Sequence, residues 1–322
     1  MPEVSKASVR WVEVDEQGVA QRIDNYLLKI LKGVPKSHIY RILRSGEVRV
    51  NSGRVDATYR LELGDKLRLP PVRVAEPAVK SVFRLPADKA RLMERVIYQD
   101  DALIILDKPA GMAVHGGSGV SLGIIEQLRL ELPQQKFLEL AHRLDRETSG
   151  ILLLAKKRAA LVALHELMRP GSDASPNAGR MEKRYLALVA GDWKNRVQHV
   201  KFSLLKQVTA DGERRVHVDP GGMAAHTVFH LRQRYPNFSL LEAELKTGRT
   251  HQIRVHLAHL GFPIAGDDKY GDFELNRQVS RRGLKRMFLH AWRVVLPHPL
   301  TGETLKLEAP PPPELEKFLQ QL

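Results

Sequence analysis

The apolar positions of the chain change period along its length, and those changes mark its parts. From Gln21 to Leu31 they fall at Ile23, Tyr26, Leu27, Ile30 and Leu31, the spacing of one helix face. Gly33 and Pro35 break that run. Ser37 stands where a cap would start a second short helix that turns Ile39, Ile42 and Leu43 inward. Gly46 is placed to end that helix in a left-handed conformation. Short strands are predicted at Ser8–Val14, Glu47–Asn51, Arg54–Val55 and Lys66–Leu69, with a turn at Asn51, Ser52 and Gly53.

Pro70, Pro71, Pro77 and Pro86 then interrupt any periodicity, which predicts an extended linker over residues 72–90. Beyond it, apolar β-like runs recur at Leu103–Leu106, Ile151–Leu154, Tyr185–Val189, Val228–Leu231, Leu240–Leu245 and Val294–Leu296. Only Leu161–Met168 and Thr250–Leu260 read as helices, the second with Thr250 as its cap. Arg169–Arg180 reads as a mobile loop. Many strands with few helical crossovers predict an α+β fold with a mainly antiparallel sheet. The organisation expected is an N-terminal extension (1–20), a small domain (21–71), the linker (72–90) and a large domain (91–322).

Charge adds a partner to this outline. The chain of 322 residues carries a net charge of +14, which favours a polyanion, since a cation placed on a phosphate releases condensed counterions. Between residues 21 and 73 twelve Lys/Arg face five Asp/Glu, so half of that net charge lies in about one sixth of the chain. Lys36, Arg41 and Arg44 lie in or beside the second helix, and Arg49 follows in the next strand; a phosphate backbone could run along them. There is no cysteine, which excludes disulfides, thiolate zinc sites and cysteine nucleophiles. No apolar run approaches the ~18 residues of a membrane span, and no signal-peptide pattern opens the chain. The expectation is a cytoplasmic protein, monomeric, with no membrane and no small-molecule partner.

Candidate chemistry lies in four segments. In "AHRLDRETSGILLLAKK" Asp145 sits between Arg143 and Arg146 in a polar turn before an apolar strand. Flanking cations keep a carboxylate ionised, fit to be a nucleophile or base, although a salt-bridged turn residue would read the same way. In "LKTGRTHQIRVHLAHLG" Arg249 stands at a strand-to-helix junction with a planar fork suited to a carboxylate. His251, His256 and His259 raise a metal site there, but no HExxH and no acid before Asp267 accompany them; RNA contact or packing fits better. His226 and His230 lie in a strand-like run, where a spacing of four does not make a shared ligand set. In "MEKRYLALVAG" Tyr185 begins a strand, able to stack on a base or simply half-buried. "ILDKPAGMAVHGGSG" is a strand and a glycine-rich turn without GxxxxGK[ST] or GxGxxG, so no nucleotide cofactor is expected.

The segment "RIDNYLLKILKGVPKSHIYRILRSGEVRVNSGRV" resembles the S4 domain, a small RNA-binding module. With it, "DKPAGMAVH", "HRLDRETSG", "EKRYLALV", "TGRTHQIRVH" and "GDDKYG" resemble the RluA family of pseudouridine synthases over nearly the whole chain. The resemblance implies a bent, mostly antiparallel sheet with the site in its central cleft. It implies isomerisation of uridine in large-subunit ribosomal RNA, with no metal and no cofactor. It implies Asp145 as catalytic carboxylate, Tyr185 stacked on the target base, and Arg249 paired with the aspartate. Arg143, with His142 beside it, would meet RNA where the flipped nucleotide leaves space. A non-catalytic RNA clamp and a metal-dependent nuclease are the rival readings.

Overall fold

The computed structural model describes residues 9–16, 18–31, 33–72, 91–116, 122–169, 181–208 and 214–322. Two compact units divide the chain, residues 1–86 and 87–322. The linker expected at 72–90 lies outside the described residues except for Val72, and so does nearly all of the loop expected at 169–180.

In the small unit the predicted amphipathic helices form as α1 (Ile23–Ile30) and α2 (Lys36–Arg44). Strands β1 (Arg10–Glu13), β2 (Arg49–Val50) and β3 (Lys66–Leu69) pair antiparallel in the order β1-β3-β2. Part of the expected N-terminal extension therefore folds into this unit, as an edge strand. Ile23, Leu27, Ile39, Ile42, Val48, Leu61 and Leu67 make the core, each 0–1% exposed. Gly46 is left-handed at φ 72°, and Asn51 and Ser52, at φ 49° and 69°, make the turn that Val50 and Gly53 close with two backbone bonds.

Two local expectations fail. No strand forms at Arg54–Val55, because Asn51 joins Lys66 instead: its backbone N–H donates to the Lys66 carbonyl and its Oδ1 accepts from the Lys66 N–H. Nor does Ser37 cap α2. The cap position falls two residues earlier, on Pro35, whose carbonyl accepts from the N–H groups of His38 and Ile39.

The large unit opens with β4 (Val96–Gln99) and β5 (Leu103–Lys108), then α3 (Ile124–Glu131), β6 (Glu139–Leu140), β7 (Ser149–Ala155) and α4 (Arg158–Met168). Five strands follow: β8 (Glu182–Ala190), β9 (Val197–Val208), β10 (Arg214–Val218), β11 (Met223–Tyr235) and β12 (Phe238–Leu245). After α5 (Gln252–His259) and α6 (Phe273–Arg281) come β13 (Leu289–Pro297), β14 (Thr304–Glu308) and α7 (Pro313–Leu319). One open sheet runs β10-β9-β11-β12-β8-β13-β7-β5-β4, with β14 beside β13 and β6 beside β7. Among the described residues every pairing is antiparallel except β13 with β7, which touch over two residue pairs. The expectation of an α+β, mainly antiparallel fold is borne out. Bulges in β11 and β13 bend the strands.

Strands β5 and β7 read as unbroken apolar runs because both of their faces are covered. Ile104, Leu106, Leu152 and Leu154 join one core layer with α3 and α7; Leu103, Ile105, Ile151 and Leu153 join another with α4. Where β7 meets β13, Gly150 is at φ 103°, and a Cβ there would stand 2.2 Å from the Ala291 carbonyl oxygen. Only glycine lets the backbones approach so closely, and this contact fixes the strand that follows Asp145. Among the described residues, no helix is long and apolar enough to cross a membrane.

Candidate active site

Asp145 lies in the turn before β7, and that turn is held from both sides. Lys108, fully buried at the end of β5, donates to the carbonyls of Pro109, Met112 and Arg146 at 2.8, 2.9 and 3.0 Å. Burial pushes its ammonium down to about 7, yet three accepting carbonyls need three N–H donors, which only the protonated form has. On the other side Arg286 donates to the Glu147 carbonyl and to Ser149 Oγ, and Ser149 Oγ meets His290 Nδ1 at 2.8 Å. The backbone of residues 146–149 is thus tied down by buried groups, and the Asp145 side chain, one-fifth exposed, projects into a cleft.

That cleft has a volume of about 340 Å³ and is lined by His142, Arg143, Asp145, Lys183, Tyr185, Arg249, His251 and Arg254 among others. Segments far apart in sequence supply it: the turn before β7, the start of β8, and the junction of β12 with α5. Asp145, Tyr185 and Arg249 therefore do meet in one place. Tyr185 is 7% exposed, and its hydroxyl has no partner among the described residues. Burial, then the Asp145 charge, raises its pKa far above the ordinary phenol value, so it is a neutral hydroxyl at any working pH.

The partner of Asp145 differs from the expected one. Arg249 lines the cleft but donates its Nε to the Ala224 carbonyl at 3.2 Å. The guanidinium on the carboxylate belongs to Arg254, whose Nη1 donates to Asp145 Oδ2 at 3.1 Å. Arg254 also makes a two-pronged contact with the buried Asp267, Nε to Oδ2 at 2.8 Å and Nη2 to Oδ1 at 2.7 Å. Burial works against its charge, but the bonds to Asp267 and Asp145 outweigh this and raise its pKa above the ordinary arginine value. Arg249 precedes α5 and is drawn to the β11 backbone; Arg254, in the first turn of α5, points inward between two carboxylates. The sequence signal for it was its place one turn into the helix predicted at Thr250–Leu260, with an acid supplied later by "GDDKYG".

Nor do the arginines that flank Asp145 in sequence pair with it. Arg143 is exposed, and its side chain has no hydrogen bond or ion pair among the described residues. Arg146 turns to the Gly111 carbonyl and to Glu147. His142 is committed inward: its Nε2 accepts from the Leu153 N–H at 3.1 Å, and burial, with Lys183 nearby, pushes it down to about 3. It is a neutral packing group at the cleft wall, which leaves the expected RNA contact to Arg143. Lys183, unnoticed in the sequence, lines the cleft two residues before Tyr185, with burial lowering its pKa.

The three histidines of "THQIRVHLAH" go separate ways, so they form no ligand set. His251 faces Asp145, His256 meets Thr227 Oγ1 at 3.0 Å, and His259 packs edge-on against Phe202. Thr250 does not cap α5; His251 takes that position in a left-handed conformation, φ 54°.

In the small unit Lys36, Arg41, Arg44 and Arg49 are all exposed. Arg44 joins Tyr40, Arg54 and Asp56 around a surface cavity of about 490 Å³. Arg41 reaches the His38 ring, and Arg49 leans on the Gly46 carbonyl. None of the four has an ion pair with an acid among the described residues.

The RNA pseudouridylate synthase family profile matches residues 102–259, which include Asp145, Tyr185, Arg249 and Arg254, and the S4 domain profile matches residues 21–67. The chain belongs to the pseudouridine synthase family and is an isomerase of that class, with an S4 domain before its catalytic domain. Among its relatives, "Ribosomal large subunit pseudouridine synthase C" of Haemophilus influenzae is 49% identical, covering 99% of this chain and 97% of the relative. The protein of the same name from Escherichia coli (strain K12) is 49% identical, over 98% and 97%. Of the solved structures, "Human RNA Pseudouridylate Synthase Domain Containing 4" is 25% identical with a TM-score of 0.57, over 71% of this chain and 93% of that one.

Proposed function

We propose that this protein isomerises uridines of large-subunit ribosomal RNA to pseudouridine, with Asp145 as the catalytic carboxylate. The observation that carries the assignment of Asp145 is its place: a carboxylate gripped by a buried arginine, on a pinned turn, in a cleft with a neutral tyrosine hydroxyl. The relatives' names support the substrate.

The reaction breaks the N1–C1′ bond, turns the base and joins C5 to C1′; C5 gives up its proton and N1 gains one. Nothing is added or oxidised. The base must first leave its stack, at a cost of a few kcal/mol. Arg143, exposed at the cleft rim, is placed to meet the RNA where the nucleotide leaves. Tyr185 offers a flat ring for the base and a hydroxyl that donates without ionising. Asp145 stands beside the sugar and base, with one of its oxygens held by Arg254. Arg249 puts positive charge beside a substrate that brings phosphates.

Mapping pseudouridines in ribosomal RNA from cells that lack the protein, and from the same cells supplied with wild-type or Asp145→Asn protein, tests this directly. Specific pseudouridines should vanish, return with the wild type and stay absent with Asp145→Asn, while the variant binds RNA as before. Restoration by Asp145→Asn would sink the assignment of the carboxylate; an unchanged map in cells lacking the protein would sink the substrate.

A further inference from the structure

The oxygen of Asp145 that Arg254 does not hold faces a second group. His251 Nε2 stands 3.7 Å from Asp145 Oδ1, with both side chains about four-fifths buried. The ring reaches that place through a backbone that is unfavourable for a residue with a Cβ: His251 is at φ 54°, ψ 20°, at the N-cap of α5, and caps nothing with its side chain. A left-handed non-glycine residue costs on the order of 1 kcal/mol or more and persists where surrounding contacts enforce it.

Those contacts come from Tyr270, in the turn after Asp267. Its hydroxyl lies 2.8 Å from His251 Nδ1 and accepts from the backbone N–H of Val216 in β10 at 3.0 Å. The hydroxyl proton has one acceptor to go to among the described residues, His251 Nδ1. Hydrogen-bond inventory then fixes the imidazole: Nδ1 accepts, and Nε2 carries the proton that faces Asp145. The same tyrosine ring lies under the Arg254 guanidinium, 5.0 Å from ring centre to the guanidinium carbon. One residue thus backs both groups that face the carboxylate.

We infer that His251 is a positioning residue of the isomerisation: as a neutral imidazole protonated on Nε2, a tautomer set by Tyr270, it orients the second oxygen of Asp145. At 3.7 Å the contact is longer than a hydrogen bond, and it tightens when the target base closes the cleft. With Arg254 on one oxygen and His251 on the other, the carboxylate plane is defined by two donors from the N-cap and the first turn of α5. The ring stays neutral because burial lowers its pKa, against the pull of Asp145. The inference rests on Asp145 being the reacting carboxylate.

The test uses full-length protein and a ribosomal RNA fragment that contains a mapped site, with the single-turnover rate measured apart from RNA affinity. His251→Leu fills the space without a donor and should lower the rate roughly ten- to a hundred-fold, the scale of a small misplacement of a reacting group, with affinity nearly unchanged. His251→Gln restores an N–H that never ionises and should recover most of the rate. Tyr270→Phe keeps the ring under Arg254 but frees the tautomer, and should slow the reaction less than His251→Leu; it serves as well if the leucine variant does not fold. Nitrogen NMR of histidine-labelled wild type should show His251 protonated on Nε2 alone. Protonation on Nδ1, a glutamine variant as slow as the leucine variant, or a loss confined to RNA affinity would each overturn the inference. An active Asp145→Asn enzyme removes its premise; an inactive one beside a full-rate His251→Leu enzyme removes the inference alone.

Discussion

Around Asp145, three largely buried cations are held by the protein's own groups: Arg254 between two carboxylates, Arg286 on the Glu147 carbonyl and Ser149, and Lys108 on three carbonyls. On the small unit the same residue types stand at the surface, and Lys36, Arg41, Arg44 and Arg49 meet no acid among the described residues. The first arrangement fixes a geometry that must hold through a reaction. The second leaves charge free for a polyanion that arrives later. Buried ion pairs are strong only when each partner is satisfied, whereas exposed cations act through counterion release and tolerate imprecise placement.

The contrast can be broken at its strongest point by Arg254→Met. It would leave Asp267, 1% exposed in its side chain, without its partner and should cost about 3–5 kcal/mol. Pseudouridine formation should fall with it. Urea unfolding measures the first effect, and Arg254→Lys, which keeps a charge but loses the planar fork, should fall between. A methionine variant of unchanged stability would show that the cleft does not depend on its ion pairs.

Acid should separate the units next. His256 and His290 are fully buried in the large unit, and burial holds both at about 4. Their pKa is depressed in the folded protein, so below about pH 6.5 the unfolded chain takes up protons that the folded chain refuses. The stability they contribute is complete above about pH 6.5 and declines as pH falls toward 4, by about 1.4 kcal/mol per pH unit for each histidine. Denaturant midpoints between about pH 7 and 4 should show the decline, and His290→Gln should flatten it. An unchanged slope would mean that these rings are not buried neutral.

Smallest in stability, though not in binding, is the joint replacement of Lys36, Arg41, Arg44 and Arg49 by alanine. Unfolding should move by less than about 0.5 kcal/mol per site, as at other exposed positions. RNA affinity should drop, and the slope of log K against log salt should shrink by about 0.7–0.9 for each phosphate that is no longer neutralised. If the slope is unchanged, this surface does not hold RNA.

Much of the fold was legible because burial is periodic in sequence. The faces of α1 and α2 follow from Ile23, Leu27, Ile39 and Ile42, and the runs in β5 and β7 from layers on both sides of the sheet. Caps were less legible. Ser37 and Thr250 have suitable side chains, but Pro35 and the left-handed His251 occupy the cap positions, because tertiary contacts chose where each helix begins. The candidate site was legible as a set of segments, and Asp145, Tyr185 and Arg249 do line one cleft.

What the sequence determined by itself was the kind of protein: the helix faces and strand runs, the basic N-terminal surface, and the motif segments from which family membership follows. Local chemistry and spacing carry those features, and they persist in any conformation of the chain. Only the tertiary structure decided which arginine meets Asp145. Arg249 and Arg254 are five residues apart and equally charged, but one lies before α5 and turns to the Ala224 carbonyl, while the other lies in its first turn and points at Asp145. It also decided that Tyr270 and His251, nineteen residues apart, meet behind that carboxylate. Such choices depend on directions in space, set by the helix axis and by the packing of the sheet, and these exist only after the chain has folded.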